Sequence, residues 1–187
     1  MAFVLSLSAT AAAQNADAVT DARVAASRVR LRFGVSTGGG LVLATPPSGG
    51  GILPGETWGF DVRVGAQLTD LVALYVQPSI MIGVMNNACF GMTEAVLALW
   101  APAMVDFTFA HRFSVAAGAG LAAVPGEPPG WTVHVRAAGY PLMRRLPLKN
   151  IREGLMLGLD TRAYSLNAGG SEYVGAIIML ALGYERF

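Results

Sequence analysis

The residues that could do chemistry are few. The chain has two histidines, His111 and His134, and one cysteine, Cys89. His111 stands three residues before Ser114. His134 has no serine near it in sequence. One cysteine excludes an internal disulfide framework and a cysteine-based zinc cluster, so Cys89 reads as an incidental thiol. No phosphate-binding loop, dinucleotide fingerprint, H-E-x-x-H helix or G-x-S-x-G elbow is present. No catalytic residue, metal site or cofactor is expected. The polar residues that do form a pattern are charges at spacing two: Arg28, Arg30 and Arg32; Asp61 and Arg63; Asp106; His134 and Arg136; Asp160 and Arg162.

Spacing of two is the period of a β-strand, in which alternate side chains face opposite ways. The apolar residues obey the same period. Val29, Leu31, Phe33 and Val35 interleave with the first arginines, and Trp58, Phe60, Val62, Val64 and Leu68 interleave with Asp61 and Arg63. Residues 71–85, 94–109, 113–124, 131–140, 154–165 and 172–187 complete eight apolar segments, most of them alternating. Each is about 10 to 15 residues long, enough to cross a bilayer as a tilted strand. Connections at Thr69-Asp70 and at Ala110-His111-Arg112 look tight. Those at 38–55, 86–93, 125–130 and 166–171 are rich in Gly, Pro or Asn and look longer. Short turns on one side and long loops on the other is the layout of transmembrane barrels. The basic stretch 143–153 breaks that rule, being long on the side expected to be short.

Composition agrees. The chain has 187 residues, of which 53% are hydrophobic and 13% charged. An ordinary soluble domain is about 25% charged, so this chain lacks the charge to dress a soluble surface. Its net charge of +1 argues against nucleic acid. The apolar runs are too short and too interrupted by Pro78 and Pro102 for spanning helices. Met1 to Ala13 reads as a signal peptide, an apolar stretch followed by the triplet Ala11-Ala12-Ala13, although no Lys or Arg precedes the run. The expected organisation is a signal peptide at 1–13, a periplasmic segment at 14–27 and a barrel domain at 28–187.

The alternation and the terminal aromatic Phe187 resemble the small eight-stranded outer-membrane barrels, the OmpA transmembrane domain and the OmpX- and OmpW-like proteins. The resemblance spans Arg28 to Phe187 and rests on pattern, with no diagnostic motif. It implies an all-β fold: an eight-stranded antiparallel up-and-down transmembrane β-barrel in the outer membrane of a Gram-negative-type bacterium. It also implies outer-membrane lipid as a partner, and assembly machinery that engages the C-terminal strand. Glu185 departs from it, standing where an apolar residue is usual, and a bulge near the end of the strand could reconcile the two.

In such a barrel the apolar face meets lipid and the other face fills the lumen. Arg28, Arg30, Arg32, Asp61, Arg63, Asp106, His134, Arg136, Asp160 and Arg162 then form a lumen network that is basic overall, with each aspartate expected to contact an arginine. Trp58, Trp131, Tyr184 and Phe187 are expected at the lipid interfaces. Pairing the third and fourth segments brings Pro78 and Pro102 to one height, where a shared distortion is expected because neither donates to the ladder. Barrel deacylases use a His and a Ser close together on the lipid side, but His111 and Ser114 fall at a turn on the opposite end. A structural or surface-interacting role follows, with 38–55 and 125–130 as candidate contact loops. The alternatives are a narrow pore for small, possibly anionic, solutes and a soluble, lipocalin-like ligand-binding barrel.

Overall fold

The computed structural model describes residues 29–45, 51–87, 92–110, 112–146 and 151–187. The signal-peptide and N-terminal segments, Arg28, Cys89 and His111 lie outside these described residues. The strands are β1 (Arg30–Thr45), β2 (Leu53–Gln67), β3 (Val72–Val76), β4 (Ser79–Asn87), β5 (Met92–Phe109), β6 (Phe113–Ala123), β7 (Gly130–Leu146), β8 (Ile151–Ala168) and β9 (Ser171–Arg186). Apart from β3 and β4, neighbours in sequence pair antiparallel, and β1 closes on β9 from Phe33↔Arg186 to Thr45↔Val174. β3 and β4 are two halves of one span, since both pair with β2 on one side and β5 on the other. The result is a closed eight-span up-and-down barrel, which leaves no edge strand unpaired.

The break between β3 and β4 falls at Gln77 and Pro78, where Pro102 comes alongside. The register does not slip: Val76↔Ala103 and Ser79↔Trp100 lie in one ladder. Val62 N–H still donates to the Pro78 carbonyl at 2.9 Å, and Gln77 N–H to the Pro102 carbonyl at 2.9 Å. Neither proline can return the bond, so two ladder donors are missing side by side. Pro78→Ala should restore one of them and raise the free energy of unfolding, measured in urea, by up to about 1 kcal/mol. No change would mean that the Val62 carbonyl is satisfied elsewhere.

Several connections are shorter than their composition suggests. Gly38, Gly39 and Gly40 are in β1, not in a loop. A Cβ on Gly38 would run into the Leu180 carbonyl, and one on Gly40 into the Ile178 carbonyl, so glycine here permits the close seam between β1 and β9. Strand takes up both ends of the loop expected at 38–55, since β1 runs to Thr45 and β2 starts at Leu53. Likewise, 86–93 narrows as β4 runs to Asn87 and β5 starts at Met92. The loop expected at 166–171 is a two-residue turn. Gly169 and Gly170 both have positive φ, 58° and 73°, as a tight hairpin turn of the primed kind requires. Only 124–129 keeps the expected length. The basic stretch 143–153 is mostly strand, paired from Met143↔Gly154 to Leu146↔Ile151. The one register shift in this region lies between Gly139 and Leu142, next to Pro141. The bulge expected near the C-terminus is absent: β9 pairs with β8 without a shift through Glu153↔Arg186.

Outward positions are apolar along the ring. Leu180 is 71% exposed, Leu121 63% and Val135 45%. Among described outward positions the charged residues, Glu56, Arg144, Glu153, Glu172 and Arg186, fall near strand ends. Trp58 and Trp131 are exposed toward the loop end, and Phe33, Phe109, Phe113 and Tyr184 toward the end that carries the β1 start. Among described residues no helix is long and apolar enough to cross a membrane, which says nothing about strands.

Candidate functional site: the charged lumen

Inward positions of the strands converge on the barrel axis, and there the charged residues meet. Arg32, Asp61, Arg63, Asp106, His134, Arg136, Asp160 and Arg162 are all buried, with at most 1% exposure. Arg30 is not among them: at the very start of β1 it sits in the mouth and pairs with Asp70 at 2.6 Å.

The lower cluster is built around Glu185. Arg32 Nε donates to Glu185 Oε1 at 2.7 Å, and the Tyr140 hydroxyl donates to Oε2 at 2.6 Å. Arg136 Nη2 lies 3.5 Å from Oε2 and donates to Asp106 Oδ2 at 3.2 Å. Arg32 Nη1 is 3.0 Å from Asp106 Oδ1. Arg63 stands 3.8 Å from Glu185 and donates to Ser36 Oγ at 2.8 Å. The Arg32 guanidinium also lies 4.8 Å above the Phe187 ring and 5.2 Å from Tyr75. Such cation–π contacts gain strength when desolvated.

Sequence reasoning passed over Glu185 in assembling this network. It also placed Phe187 at the lipid interface, whereas Phe187 is 1% exposed, inside the lumen and edge-on to Tyr140 at 5.6 Å. Both corrections have one cause. With no bulge in β9, parity runs unbroken to the end, so Tyr184 and Arg186 face out while Glu185 and Phe187 face in. The signal was available: Glu185 shares its parity with Ala181 and Met179, which also face in.

The upper cluster spans the lumen. Arg162 on β8 donates to Asp61 on β2 at 2.6 Å and to Ser79 Oγ on β4 at 2.8 Å. Asp160 departs from expectation: its hydrogen-bonded partner is His134 Nε2 at 2.9 Å rather than an arginine. Among described residues, the four central arginines are matched in number by four carboxylates, Glu185 supplying the fourth. At the centre the charges therefore balance in number, while Arg152, also buried, adds positive charge toward one mouth.

Above the charges lies an apolar layer of Met81, Trp100, Tyr164, Ile177 and Met179, with Trp100 and Tyr164 edge-on at 5.4 Å. Over it, at the loop end, opens a cavity of about 400 Å³ lined by Val124, Tyr164, Leu166 and Tyr173.

His134 and Asp160 supply two members of a hydrolytic triad. The third is missing, because the buried His134 Nδ1 makes no hydrogen bond among described residues. Ser114 faces the lumen and shares a 3.3 Å hydrogen bond with the Tyr140 hydroxyl. No group of three or more metal-ligating side chains occurs among the described residues.

No family model matches the chain, and no curated protein does. Among solved structures it is similar to Neisserial surface protein A, NspA, at 14% identity and a TM-score of 0.45 over 82% of this chain and 95% of that one. It is also similar to the outer membrane protein OprG from Pseudomonas aeruginosa, at 9% identity and a TM-score of 0.35 over the same shares. At those overlaps the barrel rests on its own backbone ladder, not on either neighbour.

Proposed function

We propose that this chain is an outer-membrane barrel whose lumen is plugged, and that it acts as a structural or surface-interacting protein. The apolar belt between aromatic rims supports the membrane setting: a soluble monomer rarely exposes a contiguous apolar patch beyond about 600 Å². The soluble, lipocalin-like alternative needs the reverse facing. The plug rests on one observation, the cross-lumen set of buried ion pairs sealed by the Trp100 and Tyr164 layer. Eight strands leave an interior that side chains fill.

Planar-bilayer recording tests the plug. The refolded protein should give no discrete current steps above lipid background, and reproducible steps would overturn it. A narrow pore is favoured by a different observation: Gln77 and Arg63 keep buried polar atoms without a hydrogen-bond partner among the described residues, which water would satisfy.

A further inference from the structure

The charged lumen is bracketed by two aromatic pairs built alike. On the loop side Trp100 and Tyr164 meet edge-on at 5.4 Å, with the Arg162 guanidinium 5.6 Å from the Trp100 ring. On the opposite side Tyr140 and Phe187 meet edge-on at 5.6 Å, with the Arg32 guanidinium 4.8 Å from the Phe187 ring. All four residues are at most 3% exposed. Each pair belongs to an apolar cluster, the lower one shared with Ala138, Met156 and Ala181 and backed by Met143. The backbone holds Phe187 in place: its N–H donates to the Arg152 carbonyl at 2.8 Å, and its carbonyl accepts from the Arg152 N–H.

The polar atoms between the pairs do not all satisfy one another. Asp61 Oδ2, Asp160 Oδ2 and Gln77 Oε1 are buried acceptors with no hydrogen-bond partner among the described residues. Gln77 Nε2, Arg136 Nε and Arg162 Nε are buried donors in the same condition. Donors and acceptors together suit a ligand that offers both, as water does and a simple ion does not. A wet charged layer would be continuous with both mouths unless each side were closed by something apolar. Apolar constrictions bar water and ions by dewetting.

We propose that the lumen is a closed, water-holding compartment with two seals in series, Trp100 with Tyr164 toward the loops and Tyr140 with Phe187 at the other mouth. The proposal rests on the plugged-barrel reading and divides its labour. The aromatic pairs stop passage, and the ion pairs fix the strands around the compartment. Two seals in series make each one sufficient, so loss of either leaves the lumen shut.

The test measures proton entry, with the full chain in phosphatidylcholine vesicles loaded with a pH-sensitive dye. Wild type, Trp100→Ala and Phe187→Ala should each stay at lipid background. The double variant Trp100→Ala/Phe187→Ala should leak well above it, its heat-dependent gel shift showing that the ring is still closed. A second measurement decides the question should the double variant not fold. In a Cys89→Ser background, Ser114→Cys reports the lower seal, because Ser114 is 1% exposed and lies 3.3 Å from the Tyr140 hydroxyl. The new thiol should resist methyl methanethiosulfonate in micelles. Phe187→Ala should speed its labelling on the order of tenfold or more, as a local opening does, and still exclude a polyethylene-glycol maleimide. Reaction with the polymer would mean that the ring itself opened, which overturns the seal. So does unchanged labelling in Phe187→Ala, a leak through either single variant, or a folded double variant that stays at background. A leak through the wild type instead fails the plug itself, so the two readings fail by different results.

Discussion

Glu185→Leu should destabilise the barrel by about 3–5 kcal/mol, the cost of breaking a buried ion pair by removing one partner. The carboxylate touches Arg32, Arg136 and the Tyr140 hydroxyl, and Arg63 stands close by. Its loss leaves Arg32 and Arg136 to share Asp106 and takes away Arg63's ion pair, all at the buried centre of the barrel. Urea unfolding in phosphatidylcholine vesicles, followed by tryptophan emission, measures the loss. The double variant Glu185→Leu/Arg32→Leu should recover part of it, because removing both partners of a buried pair is far cheaper than removing one. A Glu185→Leu midpoint equal to wild type would show that the carboxylate is not held among these arginines.

Val135→Arg should cost about 2–4 kcal/mol in a bilayer. Val135 faces outward and pairs with Ala117 and Thr161, near the middle of β6 and β8. Leu142 is even more exposed, at 71%, but lies toward the strand end. Leu142→Arg should therefore cost no more than about 1 kcal/mol, as arginine near an interface does. The depth dependence is the diagnostic, read from vesicle unfolding of the two variants. A barrel whose outer face met water would tolerate both changes alike, which would reverse the in-and-out assignment.

Much of this architecture was legible in the sequence because period two carries its own meaning. Arg32 against Leu31 and Phe33, or Asp61 and Arg63 against Phe60 and Val64, divides each strand into two faces before any partner is known. The same logic anticipated the meeting of Pro78 and Pro102, because antiparallel register about one connection fixes relative height. Glycine misled it. In Gly38-Gly39-Gly40 the residue type signals a loop, yet it serves close strand approach, and local sequence cannot distinguish the two uses.

The sequence by itself therefore determined the strand content, the number of spans and the facing of most positions, all of which are local properties of alternation. Tertiary structure alone decided who pairs with whom. Arg32 meets Glu185 across 153 positions and Arg162 meets Asp61 across 101, contacts set by how the strands stagger on closure. It alone kept β9 in unbroken register, and so turned Glu185 and Phe187 inward and balanced the central charges in number. Stagger and closure are properties of the whole ring, to which no single strand's pattern gives access.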